Sequence, residues 1–144
     1  MNLEKLKEHI KEEEGYSNKV YFDHLGFATI SYGHLVKPTD NFKEGIIYSN
    51  KELEKIFEYD LNIAIQDSEL LCKDLDIVDE AKCIIIHMAF QLGRTKLAKF
   101  KKMFAHLKNK RYDLASEEML DSLWAKQHTP ARANRLAEQM KKLI

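Results

Sequence analysis

Leu3, Leu6 and Ile10 recur at helical spacing while lysines and glutamates fill the positions between them. Residues 3 to 14 are therefore predicted to form an amphipathic helix, ended by Gly15. The period then changes. In YSNKVYFDHLGFATISYGHL, aromatic and β-branched residues flank a turn at His24-Leu25-Gly26, the pattern of a β-hairpin with a short third strand. KPTDNFKEG, residues 37 to 45, gathers Pro, Asp, Asn and Gly as the loop out of the hairpin. Ser49 and Glu52 have capping-box spacing and open a helix to about Leu71, with Leu53, Ile56, Phe57, Asp60, Leu61 and Ala64 on one side. AKCIIIHMAFQLG, residues 81 to 93, is apolar nearly all round, as expected of a central buried helix ending at Gly93. Three further helices follow: 95 to 107, with Leu97, Phe100, Phe104 and Leu107 inward; 112 to 123; and 130 to 142, entered through Thr129-Pro130.

This order predicts one α+β domain, mostly helical, over residues 1 to 144. A small hairpin lobe covers about 15 to 48, and a larger helical lobe covers about 49 to 144 together with helix 3–14. A cleft between the lobes is the expected place for a ligand. A chain of 144 residues, 44% hydrophobic with only 5 Gly and 2 Pro, can bury a core without disulfides or metals, which excludes a disordered chain.

Charge changes the picture more than composition does. The formal net charge is zero, but residues 1 to 80 carry 9 basic and 18 acidic side chains against 14 and 5 in residues 81 to 144. Between Lys82 and Arg111 lie nine basic residues and no acidic one. The plain reading is a solvated helical surface that the acidic half partly neutralises; the sharper one is a face for a polyanion such as cell-wall material or nucleic acid. Cys72 and Cys83 lack the spacing of a zinc site or a disulfide framework, and Cys83, within CIII, is expected to be a buried free thiol. No apolar targeting segment opens the chain and no stretch is long enough to span a membrane, so synthesis in the cytoplasm without a signal peptide is expected. The six histidines show no HExxH and no cluster, and there is no P-loop or GxGxxG; neither a metal nor another cofactor is expected.

The candidate chemistry lies in EEEGYSNKVYFDHLGFATISYGHL, residues 12 to 35. At about 100° per residue, Glu12 points away from the apolar stripe of its helix, whereas Glu13 and Glu14 flank it at similar distance. Periodicity does not choose between those two. Both stand at a helix C-terminus, where the dipole and partial burial favour a protonated carboxyl. Asp23, beside the hairpin turn, is expected to be solvated and ionised. One desolvated and one wet carboxyl on different elements suit glycosidic hydrolysis, in which one group protonates the leaving oxygen and the other works on water or the sugar.

Glu14-Gly15, Asp23 nine residues after the Glu, and Thr29, Ile30, Gly33 and His34 in DHLGFATISYGHL resemble the catalytic signature of the phage-type, or T4-type, lysozymes. KELEKIFEYDLNIAI, MAFQLG, FKKMFAHLKNKRYDLASEEML and WAKQHTPARANR extend the resemblance through nearly the whole chain, in order and spacing. It implies a lysozyme-like fold and a muramidase that hydrolyses the β-1,4 bond between N-acetylmuramic acid and N-acetylglucosamine with inversion. On that resemblance Glu14 is the general acid, Asp23 the carboxylate that positions or activates water, and Thr29 a hydroxyl near that water. Arg132 supports the acid by charge; Leu35, Phe90 and Gln91 contact substrate; His34 and Asp60 form a structural ion pair. Met103 and Glu118 reach cleft positions where smaller or neutral polar residues are usual. Further departures are Ser31 in place of a glycine and one extra residue in WAKQHTP.

The implied partner is bacterial peptidoglycan, with a holin for export and action on the wall after release. A monomer is expected, without nucleic acid or stable membrane insertion. The rival readings are a peptidoglycan binder or transglycosylase of the same fold, and a helical nucleic-acid-binding module motivated by the basic run.

Overall fold

The computed structural model of the chain describes residues 2 to 144. By contacts the chain groups into two units, residues 2 to 63 and 64 to 144. The first helix belongs with the sheet in this grouping, and the boundary falls inside the second helix.

In the first unit, α1 (Leu3–Glu14) starts where the Asn2 side chain accepts the Lys5 amide at 3.1 Å, and Leu6 and Ile10 are its buried positions. It stops at Gly15, whose φ of 73° takes the chain out of the helix while its amide still reaches the Lys11 carbonyl. Strands β1 (Ser17–Phe22), β2 (Ala28–Ser31) and β3 (His34–Leu35) form an antiparallel sheet in that order. The register pairs Tyr21 with Thr29 and Thr29 with Leu35, and on the alternate row Ile30 with His34. A single 3-10 turn, Pro38–Asp40, occupies the loop that follows. Ser49 Oγ then accepts the Glu52 amide at 3.2 Å and opens α2 (Asn50–Leu71), the extent its pattern predicts. Leu53, Phe57 and Leu61 are the buried positions on its first half.

The second unit is helical. After the end of α2 come α3 (Asp79–Leu92), α4 (Arg94–Ala98), α5 (Lys101–Lys108), α6 (Tyr112–Leu120) and α7 (Pro130–Lys141). Ala81 and the unbroken run Ile84 to Ala89 of α3 are buried, as its all-round apolar pattern requires. Cys83 corrects the expectation of a buried thiol: it lies on the one flank of α3 that stays half-exposed, and Cys72 is the buried cysteine. α6 packs on α5 and α7, and α7 also on α3.

Two departures from the predicted helices meet at the contact between Phe100 and Trp124. The helix expected over 95 to 107 is broken at Phe100, where ψ is 53°, and the buried positions are Leu97, Met103 and Leu107 rather than Phe100 and Phe104. Leu97 and Met103 are six residues apart and would face different sides of one straight helix at about 100° per residue, so burying both requires the corner. Phe100 remains half-buried with its ring edge-on to Trp124, centroids 6.2 Å apart. The helix expected to 123 stops at Leu120 and is followed by a π-turn, Trp124–His128, closed by the Thr129 amide donating to the Trp124 carbonyl at 2.9 Å. This wide turn absorbs the extra residue of WAKQHTP.

Met103→Ala is expected to cost about 2 to 5 kcal/mol in urea denaturation, the range for truncating a fully buried Met. Phe104→Ala, at a half-buried site, should cost clearly less; the reverse order would contradict the corner at Phe100.

Candidate active site

Alternation along the strands sorts the sheet into two faces. Tyr21, Thr29 and Leu35 form one cross-strand row. Asp23 and Phe27 continue the same face at the hairpin end, where the Asp23 amide donates to the Phe27 carbonyl at 3.0 Å. Ile30 and His34 belong to the opposite face and are buried. One face therefore carries the candidate chemistry and the other fastens the sheet.

Asp23 is held by its own loop. Its Oδ1 accepts the Leu25 and Phe27 amides, both at 2.9 Å, which fixes the carboxylate and leaves Oδ2 as the oxygen able to meet solvent or a ligand. The Thr29 hydroxyl donates to the same Phe27 carbonyl at 2.9 Å. Asp23 and Thr29 are thus locked to one backbone oxygen, and the Thr29 oxygen keeps acceptor capacity although the residue is only 3% exposed.

Glu12 is exposed, and Glu13 and Glu14 are both half-buried, so burial alone repeats the tie left by periodicity. Gly33 separates them. A Cβ built on Gly33 would collide with Glu14 Oε2, so the Glu14 carboxyl rests against the glycine backbone. Gly33 has φ of 76° and Ser31 φ of 61°, both left-handed. Ser31 is held in this conformation by its buried hydroxyl, which donates to the Leu53 carbonyl at 3.0 Å. Between them, the Tyr32 ring lies 4.8 Å from Tyr16 and 5.2 Å from Phe57. Lys11, one turn before Glu14, places its ammonium 5.1 Å from the Tyr32 centroid and bonds both oxygens of Glu54 at 2.8 and 2.9 Å. This cluster fixes the turn that carries Gly33.

Tyr21 and Phe27 are site residues that the sequence reading did not single out, and Gly33 entered it only as part of the signature, without its contact to Glu14. Burial, joined by the charges of Glu14 and Asp23, pushes the Tyr21 phenol above its usual range, so both carboxyls bear on one ring. Only the ladder register exposes this, because it sets Tyr21 opposite Thr29 and Phe27 beside Asp23. Tyr21 and Phe27 are 39% and 57% exposed and Leu35 is 52% exposed, which gives that face an open apolar margin.

On the other face, His34 Nδ1 meets Asp60 at 2.7 Å and Nε2 meets Asp40 at 2.9 Å. The expected His34–Asp60 pair has a second carboxylate that sequence reading missed. With both ring nitrogens engaged, His34 has no lone pair to offer a metal. The bond to Asp60, helped by Asp40, outweighs burial and raises the imidazole pKa. For Asp40, burial opposes ionisation, but the Lys37 amide and His34 prevail and its carboxyl falls below the usual range.

In the helical unit, Arg132 is buried in the first turn of α7, and Phe90 and Gln91 are half-buried near the end of α3. Gln91 uses both ends of its amide internally: Nε2 donates to Thr129 Oγ1 and Oε1 accepts from Trp124 Nε1, each at 2.9 Å. It braces the π-turn that leads into α7. Met103 is fully buried and Glu118 half-buried.

Residues 11 to 140 match the phage lysozyme family. The chain belongs to that family. Two proteins of Dictyostelium discoideum, probable T4-type lysozyme 1 and probable T4-type lysozyme 2, are each 30% identical to it, over 156 and 154 residues respectively. Each alignment covers 91% of this chain and 90% of the relative. Phage lysozyme membership gives the coarse function, a muramidase-like hydrolase of peptidoglycan.

His34 stabilises the fold fully below its unfolded value near 6.5, and that stabilisation is lost as pH rises through the raised folded value. Asp40 contributes above its unfolded value near 3.8 and loses its contribution as pH falls through the lowered folded one. The melting temperature is therefore expected to be highest between these limits and to decline on the alkaline side. His34→Gln should lower it, with a loss of unfolding free energy of about 1.5 to 3 kcal/mol at pH 6, and flatten the alkaline decline. An unchanged alkaline slope in His34→Gln would remove the clasp from the account.

Proposed function

We propose that the protein hydrolyses the β-1,4 bond between N-acetylmuramic acid and N-acetylglucosamine, with Glu14 as general acid and Asp23 as general base, and with inversion at the anomeric carbon. The observation that carries this reading is the seat of the Glu14 carboxyl on Gly33, with Asp23 fixed by two backbone amides on the sheet face that bears Thr29 and Tyr21. Glu14 gives its proton to the leaving glycosidic oxygen. A water donating to Asp23 Oδ2 and to the Thr29 hydroxyl oxygen keeps a lone pair for the anomeric carbon, and its proton passes to Asp23. Tyr21, Phe27 and Leu35 flank the sugar. Arg132 as charge support and Phe90 as a substrate contact enter through the family's pattern, and Gln91 acts through the turn it braces. The protein would work as a monomeric endolysin, made in the cytoplasm and reaching the wall through a holin.

A transglycosylase or a non-cleaving wall binder of the same fold would not need Asp23. Their products differ: anhydro-muramic ends in the first case, none in the second.

On purified peptidoglycan, Glu14→Gln is expected to lower reducing-end release by at least about 100-fold while melting within a few degrees of the parent, since removing a positioned acid costs about 100- to 10,000-fold. Glu13→Gln should retain most activity. Substantial turnover by Glu14→Gln, or an equal loss in Glu13→Gln, would sink the assignment of the acid.

A further inference from the structure

Two lysines tie α1 to α2. Lys7 bonds Glu58 at 2.9 Å, and Lys11, one turn later and one turn before Glu14, bonds both oxygens of Glu54 at 2.8 and 2.9 Å. The two ties look alike, but the second also meets the turn that carries Gly33. The Lys11 ammonium lies 5.1 Å from the centre of the Tyr32 ring and 4.9 Å from that of Phe57. Tyr32 stands between Ser31 and Gly33, the two left-handed residues of the turn. Its ring also packs on Tyr16, whose hydroxyl donates to the Asn50 side chain at the start of α2.

A closed loop of contacts results. From Glu14 it runs back one turn along α1 to Lys11, across to Tyr32, one residue on to Gly33 and back to the Glu14 carboxyl. The Lys11 backbone is part of the same helix end, since its carbonyl accepts the Gly15 amide at 3.0 Å. A lysine on its flexible stem does not fix a ring by itself; Glu54 holds the ammonium with two bonds, and the ring receives it there. The Lys11 and Glu54 side chains are 28% and 42% exposed, and an ion pair so open to water adds little to stability as such. Its effect is on where the turn stands.

We propose that Lys11 is a positioning residue for the general acid: through Tyr32 it holds the Gly33 backbone where the Glu14 carboxyl is seated for proton delivery. The proposal rests on the hydrolytic reading above, which gives Glu14 that role. Lys11 acts at one remove from the chemistry, so its loss falls on the step in which the proton moves and not on the binding of the glycan.

The test measures kcat and KM of the full chain on soluble, uncross-linked peptidoglycan strands. Lys11→Met keeps a stem of similar length and removes the charge; kcat is expected to fall about 10- to 100-fold with KM within about twofold of the parent, the pattern of a misplaced reacting group. Lys11→Arg, whose fork can meet both Glu54 oxygens and stack on Tyr32, should restore kcat to within about threefold. Lys7→Met removes the neighbouring tie and should keep the parental kcat. Charge alone would act differently, because losing the Lys11 cation favours a protonated Glu14 and losing the Glu54 anion favours an ionised one. Positioning instead predicts that Glu54→Ala lowers kcat as Lys11→Met does, and that the double variant loses little more than Lys11→Met alone. Glu54→Ala also serves should Lys11→Met melt early. A second readout needs no turnover: Glu14→Gln should shift the Gly33 amide resonance in the parent, and shift it less when Lys11 is already changed to Met. The proposal is overturned by a parental kcat in Lys11→Met, by an equal loss in Lys7→Met, by a Lys11→Arg no better than Lys11→Met, by opposite effects of Lys11→Met and Glu54→Ala, or by a Gly33 shift that ignores Lys11. Turnover by Glu14→Gln removes the hydrolytic role instead, and the Gly33 signal still reports whether Lys11 holds the seat.

Discussion

The contact between the Glu14 carboxyl and the backbone of Gly33 is the constraint on which the rest of the sheet unit depends. A helix end and a turn between two strands meet where any side chain at position 33 would take the space of the carboxyl. The turn is strained at Ser31, and its geometry is held by groups that touch no candidate substrate: Lys11 over Tyr32, Tyr32 against Tyr16 and Phe57, Lys11 on Glu54, and Ser31 on the Leu53 carbonyl. Strain at a functional position persists when its surroundings over-determine it. Here a cation, three rings and a buried hydroxyl do so.

The two-faced sheet divides the remaining labour. The row through Ile30 and His34 fastens the strands through a histidine shared by two carboxylates, one from α2 and one from the 3-10 turn. The row through Tyr21, Thr29 and Leu35, extended by Asp23 and Phe27, carries the polar and apolar groups that face a ligand. Because successive residues alternate between the rows, a one-residue slip of register would move the chemistry to the buried face, so the clasp at His34 protects the candidate site as well as the fold.

Much of this was legible in the amino-acid order. α1 ends at its glycine, α2 runs to Leu71, and α3 is buried nearly all round, because each is a long periodic segment with its own stop signal. The break at Phe100 was not legible, since Phe100 and Phe104 extend a plausible stripe from Leu97 to Leu107, and only packing shows that Met103 takes the interior. The same holds for Cys83, whose exposure depends on which flank of the nearly uniform α3 meets a neighbour. Within the candidate site, periodicity brought Glu13 and Glu14 forward equally. The resemblance to the phage-type lysozymes named Glu14 and Gly33, but the contact between these two residues, nineteen positions apart, has no local signal of its own. Tyr21 and Phe27 were hidden for a related reason: their relation to Asp23 and Thr29 is cross-strand register.

The most direct measurement is turnover and melting of Gly33→Ala. An added methyl must displace the Glu14 carboxyl, and misplacing a reacting group by about 1 Å can cost on the order of 100-fold in rate. The left-handed φ adds roughly 1 to 2 kcal/mol of strain, a loss of under about 10 °C in melting temperature. A folded Gly33→Ala protein with turnover on peptidoglycan reduced about 100-fold or more agrees with the account. A folded protein with parental turnover contradicts it.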